Sequence, residues 1–418
     1  MRTSLRYGSL VLCGAALCLA HPLTAVAGTA QIVYNFTGGA DGALPFSSLT
    51  PDGLGNFYGT TQGGGAQPYP DGYGTIFKLD SAGNLTTIYD FQGGALGETA
   101  DNGVSLIRGR LYGSVLDGVA GGPGLSVLYS VNTDGSNYTV LHAMTGPEGG
   151  YLAGLLQPGP AGGEFGLGEG GGRYGHGTLF YLGAAGQFSA AHEFAGGTDG
   201  QSPNYLIEDS AGNLYGSTTH GGTCTTVKHG CGTIFKYAPA TRTYSILYTF
   251  QNGADGAGPL LGAVDANGVL YGVSQQGGAD RHGALFSLTP SGSAYSFSVL
   301  TPIISHYPQD QPYAPPVLSP TGALVGTTAY NGIYVYSSGQ YKIEFNQIGV
   351  PYQSPVTIPN NAPDIFLATS LSGGTSTACA YGCGGHFLRQ ELTSPASTSP
   401  QVQTRGRRGK GRREAVLF

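Results

Sequence analysis

Apolar and polar positions along this chain change places every few residues. Short runs of Tyr, Phe, Ile, Val and Leu are interrupted by Gly, Asp, Asn and Ser. Such a pattern predicts many short strands joined by tight turns. The strands also repeat. An aromatic–Gly step occurs as NFYGTT at Asn56–Thr61, RLYGSV at Arg110–Val115, NLYGST at Asn213–Thr218 and VLYGVS at Val269–Ser274. Degenerate copies start at Glu164, Ala323 and Asp364. A second landmark, GTIFKL at Gly74–Leu79, has counterparts from Leu125, Gly177, Gly232, Gly283, Gly332 and Gly385. A third is a strand ending in an apolar residue, as in IVYNF to Phe36, TIYDF to Phe91 and ILYTF to Phe250. The aromatic position steps through Tyr58, Tyr112, Phe165, Tyr215, Tyr271, Val325 and Phe366. Its period is roughly fifty residues, the range of propellers and solenoids.

Four strands fit each copy. In the fourth, a strand at Asn204–Glu208 precedes the turn DSAGN, the aromatic–Gly strand, the strand Gly232–Tyr237 and the outer strand Ser245–Phe250. The third strand is apolar on both faces, as at Ile76, Phe77 and Leu79. A sheet with one wet face would alternate instead. Sheets stacked face to face around a ring bury both faces. The copy number therefore predicts an all-β fold, a seven-bladed β-propeller of four-stranded antiparallel blades. The first copy opens on an outer-strand sequence, Gln31–Phe36, and the last stops at a third-strand position, Gly385–Gln390. The N-terminal strand is thus expected to close the last blade, removing two open sheet edges.

GGADG at Gly38–Gly42, the run Asp209–Gly216 (DSAGNLYG), and GTIFK at Gly74–Lys78 and Gly232–Lys236 carry a family resemblance. With them the chain resembles the Gloeobacter/Verrucomicrobia-type (GloVer) tandem-repeat proteins of bacteria, from about Gln31 to Gln390. The resemblance is specific in the first, fourth and fifth copies. It implies an exported protein and no particular activity. The chain departs from it in having no recognisable C-terminal sorting helix. Kelch propellers are a weaker analogy, since their usual Trp is absent.

The ends differ from the body. Arg2 and Arg6, the apolar run from Leu10 to Ala20, and Ala25-Val26-Ala27 match a secretory signal peptide. Residues 1–27 are expected to be a signal peptide, 28–391 the repeat domain, and 392–418 a flexible linker and basic tail. No later segment is long and apolar enough to span a bilayer. The expected location is secreted, periplasmic or cell-surface, and the expected state a monomer. The body is acidic, whereas six basic residues lie between Arg405 and Arg413. Nucleic acid is an unfit partner for an exported chain. Anionic envelope polymers suit the tail electrostatically.

An exported chain makes disulfides of Cys224–Cys231 and Cys379–Cys383, each pair within one loop. A zinc reading would use Cys224, His229 and Cys231 with His220, but four-ligand zinc spacing is not met. No metal site and no cofactor are expected. Calcium is the one ion the Asp-bearing loops could suit, although they lack the EF-hand pattern. The recurring acids Asp41, Asp199, Asp209, Asp255 and Asp265 read as turn-forming groups, because one active site needs one constellation. No catalytic residues can be assigned.

Residues that break the repeat are better candidates. In a four-stranded meander the second–third loops and the inter-copy links emerge at one end. That face collects Tyr69, Arg173, His176, His229 and His282, the candidate ligand residues. The function expected is a non-enzymatic binding or interaction module at or outside the cell surface, with an extracellular glycan or envelope polymer as partner. The alternatives are a carbohydrate-active hydrolase or lyase on a propeller, and a purely structural surface protein.

Overall fold

The computed structural model describes residues 31–45, 47–100, 102–116, 125–304, 311–329, 332–343, 356–358, 365–368 and 386–391. Six four-stranded antiparallel sheets follow one another along the chain. Each is a simple meander in sequence order. Blade 1 comprises Thr50–Pro51, Phe57–Thr61, Thr75–Leu79 and Leu85–Asp90. Blade 2 comprises Val104–Ile107, Arg110–Leu116, Ser126–Asn132 and Thr139–Ala143. Blade 3 comprises Tyr151–Pro158, Glu164–Glu169, Thr178–Leu182 and Phe188–Glu193. Blade 4 comprises Gln201–Glu208, Leu214–His220, Thr233–Ala238 and Thr243–Thr249. Blade 5 comprises Ala257–Val264, Leu270–Gln276, Ala284–Ser291 and Ala294–Pro302. Blade 6 comprises Val317–Leu318, Leu324–Thr328, Gly332–Ser337 and Gln340–Ile343. The fold is a β-propeller.

The expected count of seven four-stranded blades is corrected to six. The landmarks of the last copy fall in a three-stranded sheet, in which Gln31–Asn35 pairs with His386–Glu391 and the latter with Ile365–Ala368. The physical reason is that a landmark marks one strand of a repeat. Counting landmarks counts copies, and cannot separate a complete blade from a partial sheet. The signal sequence 1–27, the Cys379–Cys383 pair and the tail 392–418 lie outside the described residues.

Two landmarks turn out to be one device. The glycine of the aromatic–Gly step pairs directly across the sheet with the aromatic of the third strand. These pairs are Gly59–Phe77, Gly113–Tyr129, Gly166–Phe180, Gly216–Phe235, Gly272–Phe286 and Gly326–Tyr334. The ring lies over the glycine so closely that a Cβ at Gly216 would sit 2.3 Å from Phe235 Cζ. Each of these rings is fully buried. A glycine in a strand lacks a side chain to pack, and a cross-strand aromatic supplies the missing surface.

Neighbouring blades are laced near the axis by polar side chains that reach the next inner strand. Asn102 Nδ2 donates to Leu152 O (2.6 Å), Gln157 Nε2 to Leu206 O (3.0 Å) and Asn204 Nδ2 to Pro259 O (3.0 Å). Thr50 Oγ1 donates to Val104 O between blades 1 and 2. Between blade 1 and the segment 356–358, Leu49 N donates to Thr357 Oγ1 (3.1 Å) and that hydroxyl to Leu49 O (2.6 Å). Buried backbone carbonyls thereby find donors.

Candidate functional site

The inner strands surround an axial cavity of about 520 Å³. Every blade contributes, from Leu49 and Asn102 through Leu152, Leu206 and Leu261 to Val317, with Thr357 beside blade 1. The wall is apolar side chain and backbone, and its amides are the lacing groups Asn102, Gln157 and Asn204. Glu169 is its one carboxylate among the described residues, and no His, Lys or Arg joins it. Glu169 is exposed at the cavity edge, and desolvation by the surrounding wall pushes it above the usual carboxylate range. It ends the second strand of blade 3 and pairs with Tyr151, the first residue of the inner strand. Both therefore stand at the cavity end that meets the second–third loops.

That end is the loop face. Among the described residues, the exposed tyrosines are Tyr73, Tyr151, Tyr174 and Tyr313, between 38% and 49% exposed. All four belong to it: Tyr73 and Tyr174 in second–third loops, Tyr313 in the link to blade 6, Tyr151 at the axial mouth. Leu96 and Ile304, also exposed, sit in links on the same face.

The five candidates from the sequence lie in loops of blades 1, 3, 4 and 5, and none lines the axial cavity. Tyr69 folds back: its amide donates to Gly38 O (2.9 Å), and its ring packs on Ala43 and Leu44. Arg173 is exposed; its amide donates to Glu193 Oε1 (2.8 Å), and its guanidinium lies 5.5 Å from the Tyr174 ring centroid. His176 shares that loop, but its ring covers Gly196, where an added Cβ would meet Cδ2 at 2.8 Å. His282 occupies the corresponding place in blade 5, half-buried and bridged to Gly277 as His176 is to Gly171. His229 is exposed, with its ring 5.7 Å from that of His220. Burial, and secondarily His229, holds His220 below its ordinary value.

Cys224 and Cys231 form a disulfide within the same loop. Its sulfurs are thereby withdrawn from the zinc reading. Among the described residues no three His, Cys, Asp or Glu side chains lie close enough to hold a metal ion.

The link acids have structural work. Asp199 accepts from Ala195 N (2.7 Å) and lies 3.1 Å from His192 Nε2. Glu148 treats Thr145 N (2.9 Å) and His142 Nε2 (3.0 Å) alike. Asp41 and Asp255 accept from Thr37 N and Gln251 N (2.8 Å each) and from the hydroxyls of Tyr34 (3.0 Å) and Tyr248 (3.1 Å). Each carboxylate ties a link to its outer strand. Burial raises Asp199, but the His192 and Ala195 bonds outweigh it and hold the group below its ordinary value.

Sequence reasoning missed Tyr151, Tyr174 and Glu169. Glu169 was findable: Gln62, Thr219 and Gln275 hold its place in blades 1, 4 and 5, so an acid there breaks the repeat.

A family model described as Gloeobacter/Verrucomicrobia repeat matches residues 21–228 and 162–350. No curated protein matches the chain. Among solved structures, YCF48 from Cyanidioschyzon merolae is similar with a TM-score of 0.54 at 11% identity, covering 87% of this chain and 98% of that one. The extracellular domain of BT4673 from B. thetaiotaomicron is similar with a TM-score of 0.56 at 11% identity, over 85% of this chain and 39% of that one. The extracellular domain of BT3049 from the same organism gives 0.52 at 13%, over 88% and 42%. These likenesses speak to fold alone. Among the described residues no helix is long and apolar enough to cross a membrane.

Proposed function

The chain belongs to the Gloeobacter/Verrucomicrobia repeat family, and from that premise we propose an exported, non-enzymatic binding protein whose loop face takes an extracellular glycan. The observation that carries this reading is the placement on that face of all four exposed tyrosines among the described residues, with Tyr151 beside Glu169 at the axial mouth. A tyrosine offers a rigid apolar face and a polar tip. That combination suits sugar rings, whose C–H faces stack while their hydroxyls bond. Tyr69, Arg173, His176, His229 and His282 are assigned to the rim of the same surface. Export is supported by the Cys224–Cys231 disulfide, a bond kept in oxidising compartments. The extracellular neighbours BT4673 and BT3049 are in keeping with it. Residues 1–27 are assigned as the signal peptide and 392–418 as a basic tail.

Glu169 sustains one other reading, a hydrolase or lyase. A carboxyl held above its ordinary value by desolvation is shifted in the direction that suits a general acid. Glycoside hydrolysis ordinarily needs a second carboxylate at working distance, and the described cavity wall offers Glu169 alone.

A glycan array probed with the exported chain tests the proposal. Binding is expected, and a Tyr151→Ala/Tyr174→Ala double variant should lose it with its melting midpoint nearly unchanged. Undiminished binding by that folded variant overturns the loop-face assignment. Release of new reducing ends, abolished by Glu169→Gln, would establish the enzyme instead.

A further inference from the structure

The opposite end of the ring holds a second concentration of chemistry, at the seam between blades 2 and 3. In blades 1, 4 and 5 an Asp closes the inner–second hairpin (Asp52, Asp209, Asp265), and an apolar residue precedes the aromatic (Phe57, Leu214, Leu270). Blades 2 and 3 both lack the Asp, and blade 3 breaks the second rule as well. The blade 2 hairpin turns on Arg108-Gly109 and continues with Arg110. In blade 3 the apolar position is Glu164, 2% exposed. A cavity of about 280 Å³ opens beside them, with Arg110, Tyr112, Ser130, Thr139, Leu141 and Glu164 in its wall.

The two guanidinium groups are not equivalent. Arg108 Nη1 lies 3.3 Å from Glu164 Oε1, and Nη2 donates to Gly159 O (2.6 Å). Arg108 therefore pins the seam. Arg110 donates to neutral acceptors: Asn132 Oδ1 (2.8 Å), Ser130 Oγ (3.0 Å) and Asn137 O (3.1 Å). It forms no ion pair with a described carboxylate.

We propose that this cavity binds a small organic carboxylate bearing hydroxyl groups, its charge taken by Arg110 and its hydroxyls by Glu164, Ser130 and Thr139. Arg108 is answered by Glu164 and, further off, by Glu208, whereas Arg110 has no described carboxylate in ion-pair reach and is the guanidinium left for an anion. A guanidinium has five N–H donors in a fixed fork that matches a carboxylate, and the half-buried Arg110 gives three of them to Asn132, Ser130 and Asn137, leaving two. Burial raises Glu164 above its ordinary value, and Arg108 stands 3.3 Å from its Oε1 between that carboxyl and solvent-side charge. Leu141, with Gly183 and Ala184 behind it, supplies an apolar wall for a carbon skeleton. The site is independent of the loop-face reading.

D-glucuronate titrated into the full chain, beside D-glucose and acetate, tests the proposal by calorimetry. Glucuronate should bind, with glucose (no charge) and acetate (no hydroxyls) weaker by roughly tenfold or more. Arg110→Gln should lose roughly tenfold, as expected for one charge-assisted bond, while Leu54→Ser on an exposed hairpin of blade 1 binds as the parent. Should Arg110→Gln fail to fold, Thr139→Val at an exposed outer-strand position replaces it, with a smaller loss expected. Equal affinity for glucose, undiminished affinity in the folded variant, or no glucuronate binding overturns the assignment.

Discussion

Blades 3 and 4 share a frame and differ in their electrostatics. Both inlay a ring over a glycine, Phe180 on Gly166 and Phe235 on Gly216. Blade 4 then closes its inner hairpin with Asp209, which accepts from Ala211 N (2.9 Å), Asn213 N (2.9 Å), Asn213 Nδ2 (2.8 Å) and Tyr215 Oη (3.0 Å). Blade 3 has no such acid in its hairpin, and buries Glu164 where blade 4 has Leu214. The frame tolerates both, because its cohesion comes from the ring–glycine contact and the apolar seam rather than from the turn. Turn chemistry is therefore uniform in blades 1, 4 and 5, and free to diverge in blades 2 and 3.

The largest expected effect tests the shared frame. Phe235→Ala and Phe180→Ala should each lower unfolding free energy by about 3–5 kcal/mol in urea titrations. A much smaller loss for Phe180 would mean that blade 3 does not rest on the same contact. Next comes a staple that blade 4 has and blade 3 lacks. Replacing Cys224 and Cys231 together with Ser should cost about 2 kcal/mol, read by denaturant melts with and without reductant. An unchanged midpoint would make that loop irrelevant to stability.

Smaller still, and of opposite sign, are the pH effects of the two acids. Burial opposes Asp209 ionisation, but the Asn213, Tyr215 and backbone bonds outweigh it and hold the group below 3.8. A depressed carboxylate stabilises the fold above its unfolded value, and that contribution disappears as pH falls through the folded value. Asp209→Ala should cost about 1 kcal/mol at neutral pH and almost nothing in acid. Glu164 behaves inversely. Burial lifts it above 4.5 despite Arg108 and Tyr112. Its protonated form favours the fold, and that contribution is lost as pH rises from 4.5 through the folded value. Melting midpoints against pH should therefore fall less steeply above 4.5 in Glu164→Gln than in the parent. Parallel curves would show that Glu164 titrates alike in both states.

Much of this was legible in the chain. The strand pattern, the four-strand meander and the Cys224–Cys231 loop follow from apolar spacing, turn residues and local Cys proximity. The number of complete blades did not, because the copy from Asp364 keeps its aromatic-step and third-strand landmarks although the sheet that carries them has three strands. The loop face was inferable from meander geometry, yet its tyrosines were not. Tyr151 opens an inner strand and Tyr174 a loop, and only the ring places them on one surface. The reach of His176 across to Gly196 is tertiary too; sequence offers an exposed imidazole there, and packing supplies a lid over a link. Glu164 was the most legible of the missed residues. It stands where five other copies have Phe57, Leu111, Leu214, Leu270 and Leu324.

The pairing of Gln31–Asn35 with His386–Glu391 also sets a timetable. Ile32 is made long before its partner Leu388, with every blade between them. Until then the early strand presents bare amides and carbonyls to whatever is nearby. Blade 1 can form meanwhile, since its strands are neighbours in sequence, but the sheet that joins the two ends must wait for every other blade. Contacts of such long range are slow to make and expose the chain while they are pending. Crowding would then favour the exchange of Gln31–Asn35 between two molecules, each completing the other's sheet.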